Sequence, residues 1–214
     1  MAMIEIKNIY KSFGEKKIFE DVSMDIKEHE FLAITGKSGT GKSTLLNMIG
    51  LLDQPDKGTI EYFDKGEVKP FTKKSEKILK NDIGYLFQNF ALLENETVMK
   101  NMKLAVENHK IEHKEEKIKE ALEKVGLKGY EDKKVYTCSG GEQQRISIAR
   151  LLVKPCQLIL ADEPTGSLDS ENKRIVFKLL KELQNDGKTI VVVTHDKELA
   201  DIADRVITLT NGYN

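Results

Sequence analysis

The chain carries two kinds of apolar pattern, and each predicts a different kind of strand. Near the start, apolar residues recur at every second position, at 4 and 6 and again at 22, 24 and 26. This period is typical of half-buried strands, so we expect an antiparallel sheet there, joined by a further strand over residues 59–63. Four other segments are continuously apolar, around Ile34 and over residues 83–87, 158–161 and 189–194. Such strands are buried on both faces and indicate a parallel sheet.

Between residues 90 and 153 the pattern becomes helical. Apolar residues at positions 118, 121, 122 and 125 predict the buried face of one helix. On its outer face we expect two ion pairs at i,i+4 spacing, Glu115 with Lys119 and Glu120 with Lys124. The lysine-rich stretch 65–80 favours a solvated loop and helix over a surface for anionic lipid headgroups.

Composition narrows the class of protein. A chain of 214 residues with net charge −1 fits one α/β domain and lacks the basic excess of a nucleic-acid-binding protein. It has no run of 18 apolar residues, and we expect no signal peptide or lipid anchor. We expect Cys138 and Cys156 to be reduced, because the helix predicted between them would hold them about 20 Å apart.

The strongest chemical signal is a glycine-rich loop between a short apolar segment and a helical pattern. Residues 36–43 match G-x-x-x-x-G-K-[ST] at every fixed position. Glycines let the backbone curl around an anion, and N–H groups at the helix start then point at it. We expect Lys42 to reach the β- and γ-phosphates of a nucleoside triphosphate and Ser43 to hold Mg²⁺. The predicted nucleotide-binding residues are Gly36, Lys37, Ser38, Gly39, Thr40, Gly41, Lys42, Ser43 and Thr44.

Two carboxylates follow the apolar strand at 158–161. An acid at the C-terminal end of a buried parallel strand lies at the ligand crevice of the sheet. We therefore expect Asp162 to hold Mg²⁺ and Glu163 to polarise the attacking water. His195 follows the strand at 189–194 and should lie on the same sheet edge, where we expect it to be catalytic.

A second anion site is predicted at residues 139–142. Ser139 and Glu142 form the capping box S-x-x-E, which predicts a helix running to about Val153. Gly140 and Gly141 follow the cap, where each weakens the helix by about 1 kcal/mol. A plain N-cap does not explain two glycines, so we expect them to admit a ligand close to the helix start.

These segments, in this order and spacing, resemble the ATP-binding cassette (ABC) ATPases over essentially the whole chain. Ser139-Gly140-Gly141-Glu142 matches the family signature. The resemblance implies that Phe13 stacks on adenine and that Asp169, in the D-loop, helps to bind nucleotide. It also implies that Gln88 is the Q-loop glutamine, contributing to catalysis and to the Mg²⁺ site. The sequence departs from the family at Cys138, where Leu is usual, and at Phe13, where Tyr is commoner.

The implied fold class is an α/β P-loop NTPase core with a mostly parallel sheet, an N-terminal antiparallel β-subdomain and an inserted helical subdomain. We expect one ABC ATPase domain over residues 1–214. Its RecA-like core and β-subdomain would occupy residues 1–88 and 156–214. The helical subdomain would occupy residues 89–155 and would hinge at Gln88.

The resemblance also implies partners. ATP and Mg²⁺ would bind at the interface of a head-to-tail homodimer, with Ser139, Gly140 and Gly141 facing the partner chain's γ-phosphate. A separate membrane permease would hold the protein on the cytoplasmic face of the cell membrane. Residues 160–169 resemble the short exporter ATPases that serve lipoprotein release, macrolide, peptide or bacteriocin export and cell division.

Two alternatives stay open from sequence. One is a soluble ABC ATPase that acts on ribosomes or DNA, although such proteins usually carry two cassettes, coiled coils or zinc inserts. The other is a mechanotransducing subunit that transports nothing. Co-purification with a membrane protein separates the first alternative from export, and transport assays separate the second.

Overall fold

The computed structural model of the protein describes residues 2–210, so the ends of the predicted domain, residue 1 and residues 211–214, lie outside it. The strands in chain order are β1 (Ala2–Phe13), β2 (Lys16–Lys27), β3 (Phe31–Gly36), β4 (Lys57–Tyr62), β5 (Ile83–Leu86), β6 (Leu158–Asp162), β7 (Thr189–Val193) and β8 (Arg205–Leu209). The helices are α1 (Lys42–Ile49), α2 (Lys73–Asn81), α3 (Val98–Val106), α4 (Lys114–Lys124), α5 (Gly140–Val153), α6 (Ser170–Asn185) and α7 (Lys197–Asp201).

The two apolar patterns form two separate sheets, which confirms the predicted fold class. The alternating strands make an antiparallel sheet in the order β2-β1-β4. The continuous strands make a parallel sheet in the order β5-β6-β7-β3-β8. The C-terminal ends of these parallel strands therefore meet at one edge of the sheet. There β3 leads into the glycine-rich loop, β6 into Glu163 and β7 toward His195.

The fifth parallel strand, β8, is absent from the sequence prediction. It lies at the sheet edge, where Val206 and Thr208 are exposed, Arg205 and Ile207 are half-buried, and only Leu209 is buried. An edge strand needs no continuous apolar run, because its outer positions face solvent. Three consecutive β-branched residues, Val206, Ile207 and Thr208, are the signal that could have found it.

Both faces of the parallel sheet are covered by apolar cores. Along β3, Phe31 and Ala33 enter one core while Leu32 and Ile34 enter the other. Strand residues alternate between faces, so a strand buried on both sides must be apolar throughout. This packing fixes the positions of the strand ends that carry the candidate site.

The helical segment packs against one face of that sheet. α3, α4 and α5 contact one another, and α5 also contacts α6 and β5. Their apolar side chains share a core with Leu86 and Ile159 of the sheet. That the segment 89–155 moves as a unit about Gln88 stays a prediction.

The surface ion pairs predicted on α4 are wrong. Glu115 pairs with Lys103 of α3 rather than with Lys119. Lys124 lies 3.4 Å from Asp186, beyond the end of α6, rather than pairing with Glu120. Tertiary neighbours compete with i,i+4 partners that contribute only about 0.2–0.5 kcal/mol each. The predicted inner face, residues 118, 121, 122 and 125, is buried as expected.

Three smaller expectations have clear outcomes. The stretch 65–80 includes all but the last residue of α2, which begins at a capping box between Thr72 and Ser75. Cys138 and Cys156 are both free and buried. Among residues 2–210, no helix is both long and apolar enough to span a bilayer.

Candidate functional site

The phosphate-type loop joins β3 to α1. Gly41, the residue before α1, has a φ of 92°, in the left-handed region that favours glycine. A Cβ at this position would lie 2.4 Å from Ile18 Cγ2, so no other residue fits without a shift. No side chain caps α1, and the first N–H groups of the helix therefore lack an intrachain partner of that kind. The local sequence thus builds a helix start open to an anion.

Lys42 lies folded over this loop. Its Nζ donates to the carbonyl oxygens of Gly36, at 2.9 Å, and Lys37, at 3.2 Å. Thr40 is buried and closes the loop by donating to the Lys37 carbonyl at 2.9 Å. A cation held by two neutral carbonyls can exchange them for a more strongly attracting anion.

An open cavity of about 600 Å³ lies in front of the loop. It combines backbone donors and a cation at one end with an aromatic ring at the other. Its lining residues are Phe13, Lys16, Ile18, Gly36, Ser38, Gly39, Gly41, Lys42, Ser43, Thr44, Glu163 and His195. Residues from four separate parts of the sequence therefore meet at one site.

The aromatic end of the cavity is built by the β1–β2 hairpin. Phe13 is 54% exposed and pairs in register with Lys16. Lys11 Nζ lies 5.0 Å from the centre of the Phe13 ring. Sequence reasoning missed Lys16, which pairs with Phe13 across the hairpin, and Ile18, two residues further along β2. An exposed ring at this position offers a face for stacking.

Ser43 and Asp162 meet beside the loop, where they were predicted to hold Mg²⁺. The Ser43 hydroxyl donates to Asp162 Oδ1 at 3.1 Å. Burial raises the pKa of Asp162 above its usual value, an effect that the Ser43 hydrogen bond opposes. A hydroxyl and a half-buried carboxylate next to an anion site match the oxygen ligands that Mg²⁺ takes beside phosphates. The residues present fit the ion.

Glu163 and His195 form the third part of the site. His195 Nδ1 lies 2.9 Å from Glu163 Oε2, and the His195 backbone N–H donates to the same oxygen at 3.3 Å. Glu163 is largely buried, whereas the His195 side chain is 71% exposed. Parallel pairing of β6 with β7 produces this contact, because Glu163 directly follows β6 and His195 lies two residues beyond the end of β7. The pair can hold a polarised water next to the phosphate-type loop.

Two predicted residues lie outside the cavity lining. Gln88 follows β5 and is exposed, with Nε2 4.0 Å from where a Cβ on Gly166 would be. Asp169 is the N-cap of α6 and accepts from the Asn172 backbone N–H at 2.8 Å. In a single chain, Asp169 therefore acts as a helix cap.

The signature-type segment also lies outside this cavity. Its capping box is formed: the Ser139 hydroxyl accepts from the Glu142 N–H, and Glu142 reaches back to the Ser139 N–H at 2.6 Å. Tyr130 donates to the other oxygen of Glu142 at 2.5 Å. These bonds hold the helix start rigidly, with Ser139 and Gly140 exposed.

Gly141 has a packing role besides the expected one at the ligand site. A Cβ at Gly141 would lie 2.4 Å from Asn172 Cγ of α6, so this glycine lets two helices pack closely. Gly140 meets nothing nearer than 4.0 Å and is open to solvent. That both glycines leave room for a ligand at the helix start stays a prediction.

Comparisons with known proteins identify the family. The family model described as "ABC transporter" matches residues 19–166. The chain is 41% identical to the uncharacterised ABC transporter ATP-binding protein YvrO of Bacillus subtilis, over 98% of this chain and 94% of that protein. It is 42% identical to the macrolide export ATP-binding/permease protein MacB of Campylobacter jejuni, over 98% of this chain but only 33% of that protein.

Solved structures extend the similarity to the whole fold. The chain matches the dimeric structure of MJ0796, a bacterial ABC transporter cassette, with a TM-score of 0.88 and 39% identity. That match covers 98% of this chain and 95% of the other. A second structure shows the MJ0796 cassette as a dimer in a post-hydrolysis state bound to ADP and Pi. The chain therefore belongs to the ABC transporter family, as one of its ATP-binding ATPase cassettes.

Proposed function

We propose that this protein is the ATP-hydrolysing subunit of an export-type ABC complex, in which MgATP binds at the interface of a head-to-tail homodimer. One observation carries the proposal: the rigid, exposed helix start at Ser139 and Gly140 is separate from the chain's own cavity. A second anion binder that faces solvent is complete only when another chain brings a phosphate to it. The dimeric structures of the similar cassette MJ0796 support this arrangement.

Within each site, the residues divide the work. Lys42 and the loop N–H groups bind the β- and γ-phosphates, and Phe13 stacks on the base. Glu163 holds and polarises the attacking water, and His195 keeps the Glu163 carboxylate in place. Mg²⁺, held by Ser43 and Asp162, supplies neutralising charge on the phosphate oxygens when bound. Gln88 and Asp169 join this site in the closed dimer.

Bound ATP would then stabilise the dimer by contacting both chains. A ligand that contacts both chains stabilises the closed dimer by its differential affinity, and its hydrolysis removes that stabilisation. The resulting opening and closing would drive the export of a peptide, bacteriocin, lipoprotein or drug through a permease. MacB of Campylobacter jejuni, an ATP-binding/permease protein about three times as long as the matched segment, supports this partner.

The permease would place the protein at the inner face of the cell membrane. A groove of about 590 Å³ lies at the end of β5, directly before Gln88. Its walls include Phe87, the exposed Leu104 and the half-buried Arg150 side chain. A groove with both apolar and basic walls beside a site residue suits a docked segment whose position must follow the nucleotide state.

The Glu163→Gln variant tests the proposal. We expect it to bind MgATP and to hydrolyse it at least about a hundredfold more slowly, because it loses the water-polarising carboxylate. It should form a stable dimer with MgATP, measured by light scattering, because ATP is no longer consumed.

The double variant Lys42→Ala/Glu163→Gln is the matched control and should stay monomeric. A Glu163→Gln chain that binds ATP yet remains strictly monomeric would contradict the dimer. A mechanotransducing subunit would pass this test but fail to support transport when reconstituted with its permease. If the protein co-fractionates with ribosomes or DNA rather than with membranes, that result would favour a soluble ABC ATPase that acts on ribosomes or DNA.

A further inference from the structure

The first turn of α6 contacts two parts of the proposed catalytic machinery in one chain. On one side, Asn172 contacts the helix that begins at the signature-type segment. On the other, Lys173 contacts the loop that carries His195. These residues line no part of the nucleotide cavity, and the mechanism above does not use them.

The contacts of Asn172 are specific. Its Oδ1 accepts from Arg145 Nη1 of α5 at 2.5 Å. Its Nδ2 donates to both carboxylate oxygens of Asp169, at 3.1 and 2.9 Å. The close packing of Asn172 on Gly141 leaves no room for even one added carbon. One amide therefore joins the start of α5 to the loop that follows Glu163.

The contact of Lys173 is equally defined. Its Nζ lies 2.7 Å from Asp196 Oδ2, and the Asp196 side chain is 12% exposed. Asp196 directly follows His195 and caps α7 by accepting from the Glu198 N–H. Burial raises the pKa of Asp196, but the bond from Lys173 and the backbone N–H groups outweigh it and keep that pKa below its usual value. The His195 loop is thus tied to α6 by a charged hydrogen bond.

We propose that Asn172 and Lys173 are positioning residues that couple the Ser139–Gly141 helix start to the His195 loop. The part of the chain that meets the partner's nucleotide then moves together with the part that acts on the chain's own nucleotide. Adjacent residues on one helical turn can carry such a connection, because the hydrogen-bonded turn between them is stiff. The inference rests on the proposed function, since only a dimer gives the Ser139 segment a nucleotide.

A double-mutant cycle tests the connection. Asn172→Ala and Lys173→Ala should each lower kcat for MgATP about tenfold. KM and the ATP affinity of the isolated chain should stay within about twofold, because neither residue lines the cavity. The double variant should lose little more than either single variant, because one break already releases the connection.

Controls separate positioning from general stability. Lys178→Ala removes an exposed lysine of the same helix and should leave kcat unchanged. Among residues 2–210, Lys178 forms one ion pair, with Glu182 at 3.8 Å. Lys173→Arg keeps a cation toward Asp196 and should restore most of kcat. Arg145→Lys interrupts the Asn172 side by another route and replaces Asn172→Ala if that variant does not fold.

Two outcomes would overturn the inference. One is wild-type kcat in either single variant. The other is a double variant whose loss equals the product of the two single losses, which would mean independent local effects. Failure of Glu163→Gln to dimerise contradicts the proposed function, whereas a multiplicative cycle in a protein that still dimerises contradicts this inference alone.

Discussion

Glu163 adopts a φ of 45°, in the left-handed region that a glutamate rarely occupies. Such a conformation costs on the order of 1–3 kcal/mol and persists only where the surrounding structure enforces it. Here the Glu163 N–H donates to the Val193 carbonyl at 2.9 Å, and the side chain meets His195. The strain lies at the residue proposed to hold the attacking water, which is where a fold tends to retain it.

At the same scale, Lys42→Ala should abolish productive ATP binding. Lys42 is the lysine whose ammonium already lies across the phosphate-type loop. Calorimetric titration with MgATP measures the loss. Lys37→Ala is the matched control. Only the Lys37 backbone carbonyl takes part in the loop contacts, and alanine keeps that carbonyl, so the variant should bind ATP within a few-fold of wild type. Near-wild-type affinity in Lys42→Ala would refute the assignment.

Asp162→Asn should stabilise the nucleotide-free chain at neutral pH while it abolishes Mg²⁺-dependent hydrolysis. Burial raises the pKa of folded Asp162, so the folded chain favours the protonated carboxyl more than the unfolded chain does. Stability from this group therefore falls as pH rises from the usual value of 3.8 through the raised folded pKa. Asparagine removes that cost because it carries no charge.

Thermal unfolding of Asp162→Asn and wild type at several pH values gives the measurement. The Tm of Asp162→Asn should exceed that of wild type by the largest amount at neutral pH. This difference should shrink as the pH falls toward 3.8. A gap that widens in acid would show that the lost hydrogen-bond geometry with Ser43, rather than the charge, controls the difference.

At the scale of elements, the start of α5 combines a strong cap with two glycines of different kinds. Gly141→Ala should destabilise the fold by about 1–3 kcal/mol, because the new Cβ would press on Asn172. Gly140→Ala, one position earlier, has open space and should not lower stability. Urea unfolding of Gly141→Ala and Gly140→Ala compares their stabilities. Equal unfolding midpoints would show that Asn172 moves aside without cost.

For the whole molecule, the question is whether a site needs two chains. Ser139→Arg should leave ATP binding by the single chain intact but block hydrolysis, because a bulky cation replaces the cap offered to the partner's phosphate. Nucleotide titration and a phosphate-release assay measure the two properties separately. Normal hydrolysis by Ser139→Arg would contradict a composite site.

Mixing Ser139→Arg with Lys42→Ala chains tests how many intact sites a dimer needs for hydrolysis. A mixed dimer contains one intact pairing, the Ser139→Arg chain's loop facing the Lys42→Ala chain's helix start. Partial return of activity would mean that one site suffices. Complete inactivity of proven mixed dimers would mean that both sites must act together.

Much of this protein follows from its sequence, because the decisive patterns lie in contiguous residues. The phosphate-type loop at 36–43, the strand types and the capping box at Ser139 each depend on neighbours within a few positions. Local sterics and hydrogen bonding act over that range, so these features are written directly in the order of residues.

Other features were decided only by tertiary structure. The edge strand β8, the pairing of Glu115 with Lys103 and the packing of Gly141 on Asn172 all join residues far apart along the chain. The same holds for Glu163 with His195, whose contact exists because β6 and β7 lie in parallel register. A spacing rule cannot express such contacts, because burial and the competition among several partners are settled only once the sheets and helices have packed.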